Sequence, residues 1–322
     1  MKTLEILALC LLASALGTYA DSCSGRCGDN NSNYDCQCNS ACVRYQDCCL
    51  DYFSRCKGAA GLSESELSSL AQDLWNADVN RLSSSDYDIN VQTKITDTGL
   101  KQDKSGNNFF DYVKTSNMGG TWDSFEKLLD NYIMKTGETE NIVTSEMDNF
   151  MNDVMGTEVM KITYALLNKK GYFDNESDFK TYIEGIWFQL YSRSSGPMDS
   201  SAFEHTFVGE IKNGAVSGFH NWFQFYLLEK EGKANYYGYV EQANPDLILM
   251  QFSVKDGSST YVKTLSSLMH GVSPEFELAL FTTCFVSDPG SACSFQLEGS
   301  SVTIQTWDYQ DRSLIGSAYF SI

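Results

Sequence analysis

Eight cysteines fall within the thirty-four residues from Cys23 to Cys56, in the spacing Cys23-x3-Cys27-x8-Cys36-x-Cys38-x3-Cys42-x5-Cys48-Cys49-x6-Cys56. A segment that short cannot bury enough apolar surface to fold unaided, so cross-links must supply most of its stability. Of the eleven cysteines, Cys10 lies in an apolar leader, and Cys284 and Cys293 stand far downstream. Discounting the leader leaves ten, an even number that in an exported chain predicts five disulfides rather than metal thiolates. The spacing leaves the pairing within the cluster open. Cys284 and Cys293 flank Ser287-Asp-Pro-Gly290, a turn composition that predicts a bridge between them.

The leader explains the oxidising compartment. Lys2, an apolar run from Leu4 to Leu16 and small residues at Thr18-Tyr-Ala20 predict a signal peptide over residues 1–20 and a secreted, extracellular mature chain. That run is too short to span a bilayer, and no later segment suggests membrane insertion. The sequons Asn30-Asn-Ser32 and Asn175-Glu-Ser177 fit the same compartment. Cys36-Gln-Cys38, Tyr45-Gln-Asp-Cys-Cys49 and Asp51-Tyr-Phe53, taken with the eight-cysteine spacing, make residues 21–57 resemble a somatomedin B domain. The resemblance implies a binding module without catalytic machinery, with Tyr45 and Tyr52 at aromatic positions of the family pattern. Gly28-Asp-Asn-Asn-Ser-Asn-Tyr34 lacks the bulky apolar residue of the family's serpin-binding members, which leaves another protein partner, or a stapled spacer, as the expected role.

Residues 58–61 read as a small-residue linker, and residues 62–322 as a second domain. Ser63-x-x-Glu66 is a capping box ahead of Leu67, Leu70, Leu74, Trp75 and Val79 at helical spacing. Further helical patterns run over 122–135, 146–155, 158–169 and 176–191. After Pro197 the texture becomes β-rich, with strands expected over 204–212, 235–241, 247–254 and 300–307, and Ser273-Pro274 caps one more helix. Helices first and strands after them predict an α+β fold: a helical N-terminal lobe and a β-rich C-terminal lobe behind the disulfide knot. Formal charge is −19 and pI about 4.4, so bulk electrostatics repel polyphosphate and any nucleic-acid site must be local.

The chain holds three histidines, and two of them, His205 and His220, lie fifteen residues apart. Imidazole is the side chain whose unperturbed proton exchange lies nearest neutral pH, so a close pair can serve as base and acid together. With an ammonium to stabilise developing charge, such a pair suits RNA, which carries its own 2′-hydroxyl nucleophile. The expected products are 2′,3′-cyclic phosphates, formed without a covalent enzyme intermediate. His205 alternates with Phe203 and Phe207, a strand pattern that would point Glu204 to the opposite face. A closed site made of Glu204, His205 and Glu210 is not expected on that pattern.

Phe203-Glu-His-Thr-Phe-Val-Gly-Glu210, Gly218-Phe-His-Asn-Trp222, Lys263 ahead of Ser266-Ser-Leu-Met-x-Gly271, Ser273-Pro-Glu-Phe-Glu277 and Ile315-Gly-Ser-Ala-Tyr319 together resemble the EndoU endoribonuclease family. A somatomedin B module ahead of such a domain is the arrangement of its secreted, uridylate-specific members of the placental protein 11 type. The resemblance implies cleavage of single-stranded RNA at uridine, with His205, His220 and Lys263 catalytic. It places Tyr319 near base or ribose and Ser266 or Thr264 against uracil. Glu204 and Glu210 match acidic positions associated with manganese-dependent activity. His270 is read as structural, and a monomer is the default. Gly-x-Ser-x-Gly is absent, so a serine protease is disfavoured; the stronger rival is an extracellular binding protein without turnover.

Overall fold

The computed structural model describes residues 22–322 apart from 141, 194–195 and 311; the expected leader lies outside them. The knot carries one short helix, α1 (Cys42–Tyr45), and a terminal π-helical turn, Phe53–Lys57. Its bridges are Cys23–Cys38, Cys27–Cys56, Cys36–Cys49 and Cys42–Cys48, and a fifth joins Cys284 to Cys293, as the even count predicts.

The helical lobe comprises α2 (Glu64–Ala77), α3 (Thr121–Leu129), α4 (Thr144–Met155), α5 (Glu158–Lys169) and α6 (Glu176–Phe188). A small ladder of β1 (Tyr87–Ile89) and β2 (Phe110–Val113) lies between α2 and α3 in the chain. Both elements of the Ser63/Glu66 capping box form, and Leu67, Leu70, Leu74 and Trp75 are buried. Val79 is not on that stripe: the helix ends at Ala77, and Val79 is 88% exposed. The helix expected over 122–135 stops at Leu129, because the chain turns there and the Ile133 amide donates to Glu140 instead of continuing the helix. The helix expected to reach Tyr191 stops at Phe188, since Tyr191 pairs with Ser200.

The second lobe contains the hairpin β3 (Glu210–Lys212) and β4 (Ala215–Ser217), then α7 (Trp222–Lys230). Two antiparallel sheets follow, one ordered β5-β6-β7 from Ala234–Ala243, Leu247–Asp256 and Ser259–Met269. The other is ordered β10-β9-β8, from Ala292–Leu297 (β8), Ser300–Tyr309 (β9) and Arg312–Ser321 (β10). Helix α8 (Pro274–Ser287), capped by Ser273 with Pro274 in its first turn, precedes that sheet. Every α8 residue from Pro274 to Val286 is buried, so it is a central helix wrapped on all sides. No helix among the described residues is long and apolar enough to cross a membrane.

The strand expected over 204–212 is corrected. Glu204–Val208 forms a π-helical turn, and only Glu210–Lys212 is extended. Phe203 and Phe207 alternate around His205, but they are also four apart, and on a helical turn they meet with ring centroids 5.0 Å apart. A short apolar run fits both periods, and the aromatic core around Phe125 and Trp187 selects the helical one.

The expected linker is packed. Ala59 is buried, and the Ala60 amide donates to the Lys170 carbonyl at 3.0 Å. Behind it, Phe53 stands against Tyr172, Phe173 and Tyr182 at centroid distances of 5.6, 5.4 and 5.3 Å. Lys57 pairs with Asp174 at 2.6 Å. The knot is thus seated on α6 and the turn before it, and Tyr52 is buried while Tyr45 remains exposed.

Candidate active site

His205 sits on the π-helical turn and His220 just beyond β4. The hairpin between them folds back so that Phe219 N donates to His205 O at 2.8 Å and His220 N donates to Thr206 O at 2.6 Å. This close return requires Gly218. Its φ is +63°, and a Cβ there would stand 1.8 Å from the His205 carbonyl oxygen. Gly209 has φ +90° and faces the Phe219 ring, which a Cβ would approach to 2.6 Å. Phe219 itself adopts φ +68°, a costly conformation for a bulky residue that its packing against Phe225 and Phe252 holds in place. Lys263 arrives from β7, paired with Phe252.

These three side chains line one cleft of about 510 Å³, with Gly218, Leu249, Leu265, Ser267, Trp307, Ser317, Tyr319 and the last three residues around them. His205 and His220 are each 7% exposed and Lys263 is 9% exposed. His205 Nδ1 lies 2.8 Å from Glu210 Oε2. The other Glu210 oxygen is 3.1 Å from Arg193 Nε and also accepts from Ser200. Burial alone would push the Glu210 carboxyl up, but the bonds from His205, Arg193 and Ser200 hold it below its ordinary range. Ionised Glu210 fixes the His205 proton on Nδ1 and leaves Nε2 free. At His220, Nδ1 lies 3.3 Å from Ser266 Oγ, whose own proton goes to Phe219 O, so Ser266 accepts and Nδ1–H is again fixed.

Burial lowers both imidazoles, His220 well below its ordinary range because Lys263 and His205 add to the desolvation. Glu210 opposes the shift at His205. Burial brings Lys263 down to about 8, against the pull of Glu210. Tyr319 stacks on His220 with centroids 4.7 Å apart and planes at 19°, and its hydroxyl accepts from Trp307 Nε1 at 3.3 Å. Trp307, half exposed, extends the aromatic wall to the rim.

Two oriented imidazoles and a desolvated ammonium thus meet in an open cleft with an aromatic wall. The sequence profile of the Endoribonuclease XendoU family matches residues 66–320, and that of the Somatomedin B domain matches residues 21–59. The chain belongs to the XendoU endoribonuclease family. It is 38% identical to a uridylate-specific endoribonuclease of Paralichthys olivaceus over 98% of this chain and 97% of that protein. Against the Bos taurus uridylate-specific endoribonuclease the identity is 37%, over 92% of this chain and 75% of the relative. The solved structure of XendoU, described as a splicing-independent snoRNA processing endoribonuclease, superposes with a TM-score of 0.68 at 36% identity, covering 81% of this chain and 98% of that one. The knot and the endoribonuclease domain are therefore each of known family, and the chain is an enzyme of that class.

Within this XendoU-family domain the expected residues do not all fall in the cleft. Ser266 and Thr264 do not line it. Along β7 side chains alternate, so Lys263, Leu265 and Ser267 face the cleft. Ser266 is buried behind His220, and the Thr264 carbonyl accepts from Gln251. Ser267 lines the cleft where they do not, its Oγ donating to Phe320 O across to β10. Ser267, Trp307 and Arg193 are not among the residues expected here. The alternation from Lys263 could have found the first, whereas nothing local marks the other two. His270 is buried against Tyr87, with Nδ1 3.0 Å from its hydroxyl, and lies outside the cleft as expected of a structural residue.

Glu204 and Glu210 do not fit a manganese site. Glu204 is wholly buried with neither oxygen hydrogen-bonded, and burial together with Glu140 and Glu210 pushes its carboxyl up to about 10, so it is held neutral. Glu210 has both oxygens committed to His205, Arg193 and Ser200. Among the described residues, the cluster with metal-ligand spacing is Cys23, Cys38 and Cys49, whose sulfurs are in disulfides.

Proposed function

We propose that the chain is a secreted endoribonuclease that cleaves single-stranded RNA at uridine by attack of the 2′-hydroxyl, leaving a 2′,3′-cyclic phosphate. The observation that carries this reading is the convergence of His205, His220 and Lys263 on one cleft, each imidazole with its Nδ1 held by a polar partner, Glu210 or Ser266; Nε2 is the atom this reading assigns to the chemistry. Among the described residues no carboxylate pairs with His220, which is held neutral beside Lys263, and this suits it to take the proton of the 2′-hydroxyl. His205 is backed by ionised Glu210, which stabilises an imidazolium, so it donates a proton to the departing 5′-oxygen. A bound phosphodiester supplies the negative charge that raises His205 toward protonation. Lys263 stabilises the charge developing on the non-bridging oxygens.

Uridine preference follows from the same wall. Tyr319 and Trp307 offer faces for base stacking. Ser267 Oγ directs its proton to Phe320 O, so toward the cleft it is an acceptor. That matches the N3–H donor of uracil and disfavours the N3 acceptor of cytosine. The disulfides and the leader support export. Manganese, which the resemblance implies, enters this reading only as a counter-ion between RNA and a chain of net charge −19. Incubation with a short oligonucleotide containing one uridine tests the proposal. The expected result is a cyclic-phosphate product that His205→Ala and His220→Ala each abolish; an intact substrate, with and without manganese, would favour a binding protein that has lost turnover.

A further inference from the structure

The disulfide knot touches the endoribonuclease domain at a second place besides the aromatic seat on α6. The Ser313 amide donates to the Cys48 carbonyl at 3.3 Å and the Ser313 hydroxyl donates to the Cys49 carbonyl at 3.4 Å. Both acceptors are the backbone of two half-cystines, Cys48 bridged to Cys42 and Cys49 to Cys36, so they belong to the most tightly cross-linked part of the knot. Ser313 is itself buried. It is the second residue of β10, where the register against β9 shifts between Arg312 and Ile315 and again between Ile315 and Ser317. The segment from Ser313 to Gly316 therefore lacks the regular ladder that fixes β10 from Ser317 onward.

That irregular segment holds the catalytic apparatus from behind. The Ile315 carbonyl accepts from Tyr191 Oη at 3.1 Å, and the Gly316 carbonyl accepts from Arg193 Nη2. Arg193 in turn donates to Tyr191 Oη at 2.8 Å and to Ser200 Oγ at 2.9 Å, and pairs with Glu210 at 3.1 Å. Glu210 orients His205. An unbroken series of buried or half-buried polar bonds thus runs from the knot through Ser313, the bulged turn and Arg193 to Glu210 and His205.

We propose that the somatomedin B knot is a positioning module of the enzyme, its Cys48–Cys49 backbone bracing the Ser313–Gly316 bulge that holds Arg193 and, through Glu210, the ring of His205. This rests on the reading of His205 as a catalytic group. The aromatic face around Tyr52 and Phe53, which a free module would offer to a partner, is already covered by Tyr172, Phe173 and Tyr182. The knot acts through the others and touches no substrate, since none of its described residues lines the cleft. The base-binding wall stays in place without it: Ser317 and Tyr319 lie in the regular ladder, opposite Trp307 and Gln305. Undocking the knot therefore impairs turnover and spares substrate binding.

Gly185 provides the wedge. It lies on the α6 face under the knot, where a Cβ would stand 1.8 Å from Nε2 of the buried Gln46 side chain, so Gly185→Arg, with a long charged side chain that moving Gln46 alone does not accommodate, is designed to lever the knot away while favouring the helix it sits in. Ser313→Ala removes one of the two bonds directly and leaves the seat on α6 intact. Both variants are compared with the intact protein in steady-state cleavage of a uridine-containing oligonucleotide. Hydrogen exchange across residues 42–57 reports release of the knot, and thermal unfolding reports the folded fraction of the catalytic domain. Wild-type activity is the precondition, so its failure strikes the reading of function and not the brace. The expected result is faster exchange in Gly185→Arg, kcat lower by about tenfold in Gly185→Arg and by less in Ser313→Ala, and KM within about twofold of wild type. A released knot with unchanged kcat, or a loss of kcat matched by an equal loss of folded catalytic domain, would overturn the proposal.

Discussion

Replacing Glu210 by Gln isolates what the carboxylate does for His205, because it changes charge and donor pattern with little change in shape. The Glu210 oxygens face donors on both sides, His205 Nδ1 at 2.8 Å on one and Arg193 Nε at 3.1 Å with Ser200 on the other. A glutamine presents one oxygen and one NH2, so one side must meet donor against donor. If the oxygen turns to Arg193, the His205 ring is driven to the tautomer with its proton on Nε2 and loses the form needed in the cleft. If it turns to His205, the guanidinium loses a buried acceptor, at a cost of about 1–3 kcal/mol. In either case the imidazolium no longer has an anion behind it, and Glu210 is what opposes the depression of the His205 pKa. General acid catalysis is worth about a hundred- to ten-thousandfold. The expected fall in kcat is therefore of that order, about 3–5 kcal/mol in barrier. Single-turnover cleavage at saturating enzyme measures it free of product release. A Glu210→Gln enzyme within about tenfold of wild type, with the fold intact by circular dichroism, would refute the assignment of Glu210 as the residue that orients and charges His205.

Stability should fall as pH rises above neutrality. Glu204, held protonated up to about 10, and Glu277, also raised by burial, keep protons that the unfolded chain releases near pH 4. Their contribution is complete below the unfolded value and is lost as pH climbs toward the folded one. Between pH 6.5 and 8, urea unfolding is expected to show a loss of about 1–3 kcal/mol per pH unit, and Glu204→Gln to lessen that slope by about 1 kcal/mol per pH unit. A flat or rising profile would contradict burial of neutral acids there. Trp307→Ala should raise KM by roughly five- to a hundredfold, one stacked base being worth about 1–3 kcal/mol, with kcat little changed; an unaltered KM would remove Trp307 from the base wall. Above pH 8, cleavage should decline as Lys263, lowered to about 8, loses its charge in the free enzyme, read as kcat/KM against pH.

What the sequence made legible is what depends on local chemistry. The Ser63 and Ser273 caps, the α5 boundaries and the even cysteine count each follow from neighbouring residues and recur in the structure. The two histidines and Lys263 could be named from motifs, and the fold places them in one cleft. Period was the weak signal. Phe203 and Phe207 satisfy both two-residue and four-residue spacing, and only the aromatic core around them, assembled from distant helices, decides for a turn. Ser266 and Ser267 are adjacent and chemically alike, so which one faces the cleft depends on the phase of β7, which its pairing with β6 fixes. Arg193 comes from a loop with no pattern of its own. The seating of the knot was equally hidden, because the residues it meets on α6, Tyr182 and Gly185, look like ordinary helix positions until the close approach of Gln46 to Gly185 and the ring contacts of Phe53 are seen in space.

The reaction proposed for this cleft is attack on a phosphodiester by its own neighbouring hydroxyl between His220 and His205. Two oligonucleotides that differ only in the sugar of a single uridine, ribose in one and 2′-deoxyribose in the other, test that directly. The ribose substrate should be cut on the 3′ side of the uridine to a 2′,3′-cyclic phosphate, and the deoxyribose substrate should remain whole under the same conditions. Cleavage of both at comparable rates would show that water or another nucleophile attacks, and would contradict the arrangement of acid and base proposed for this cleft.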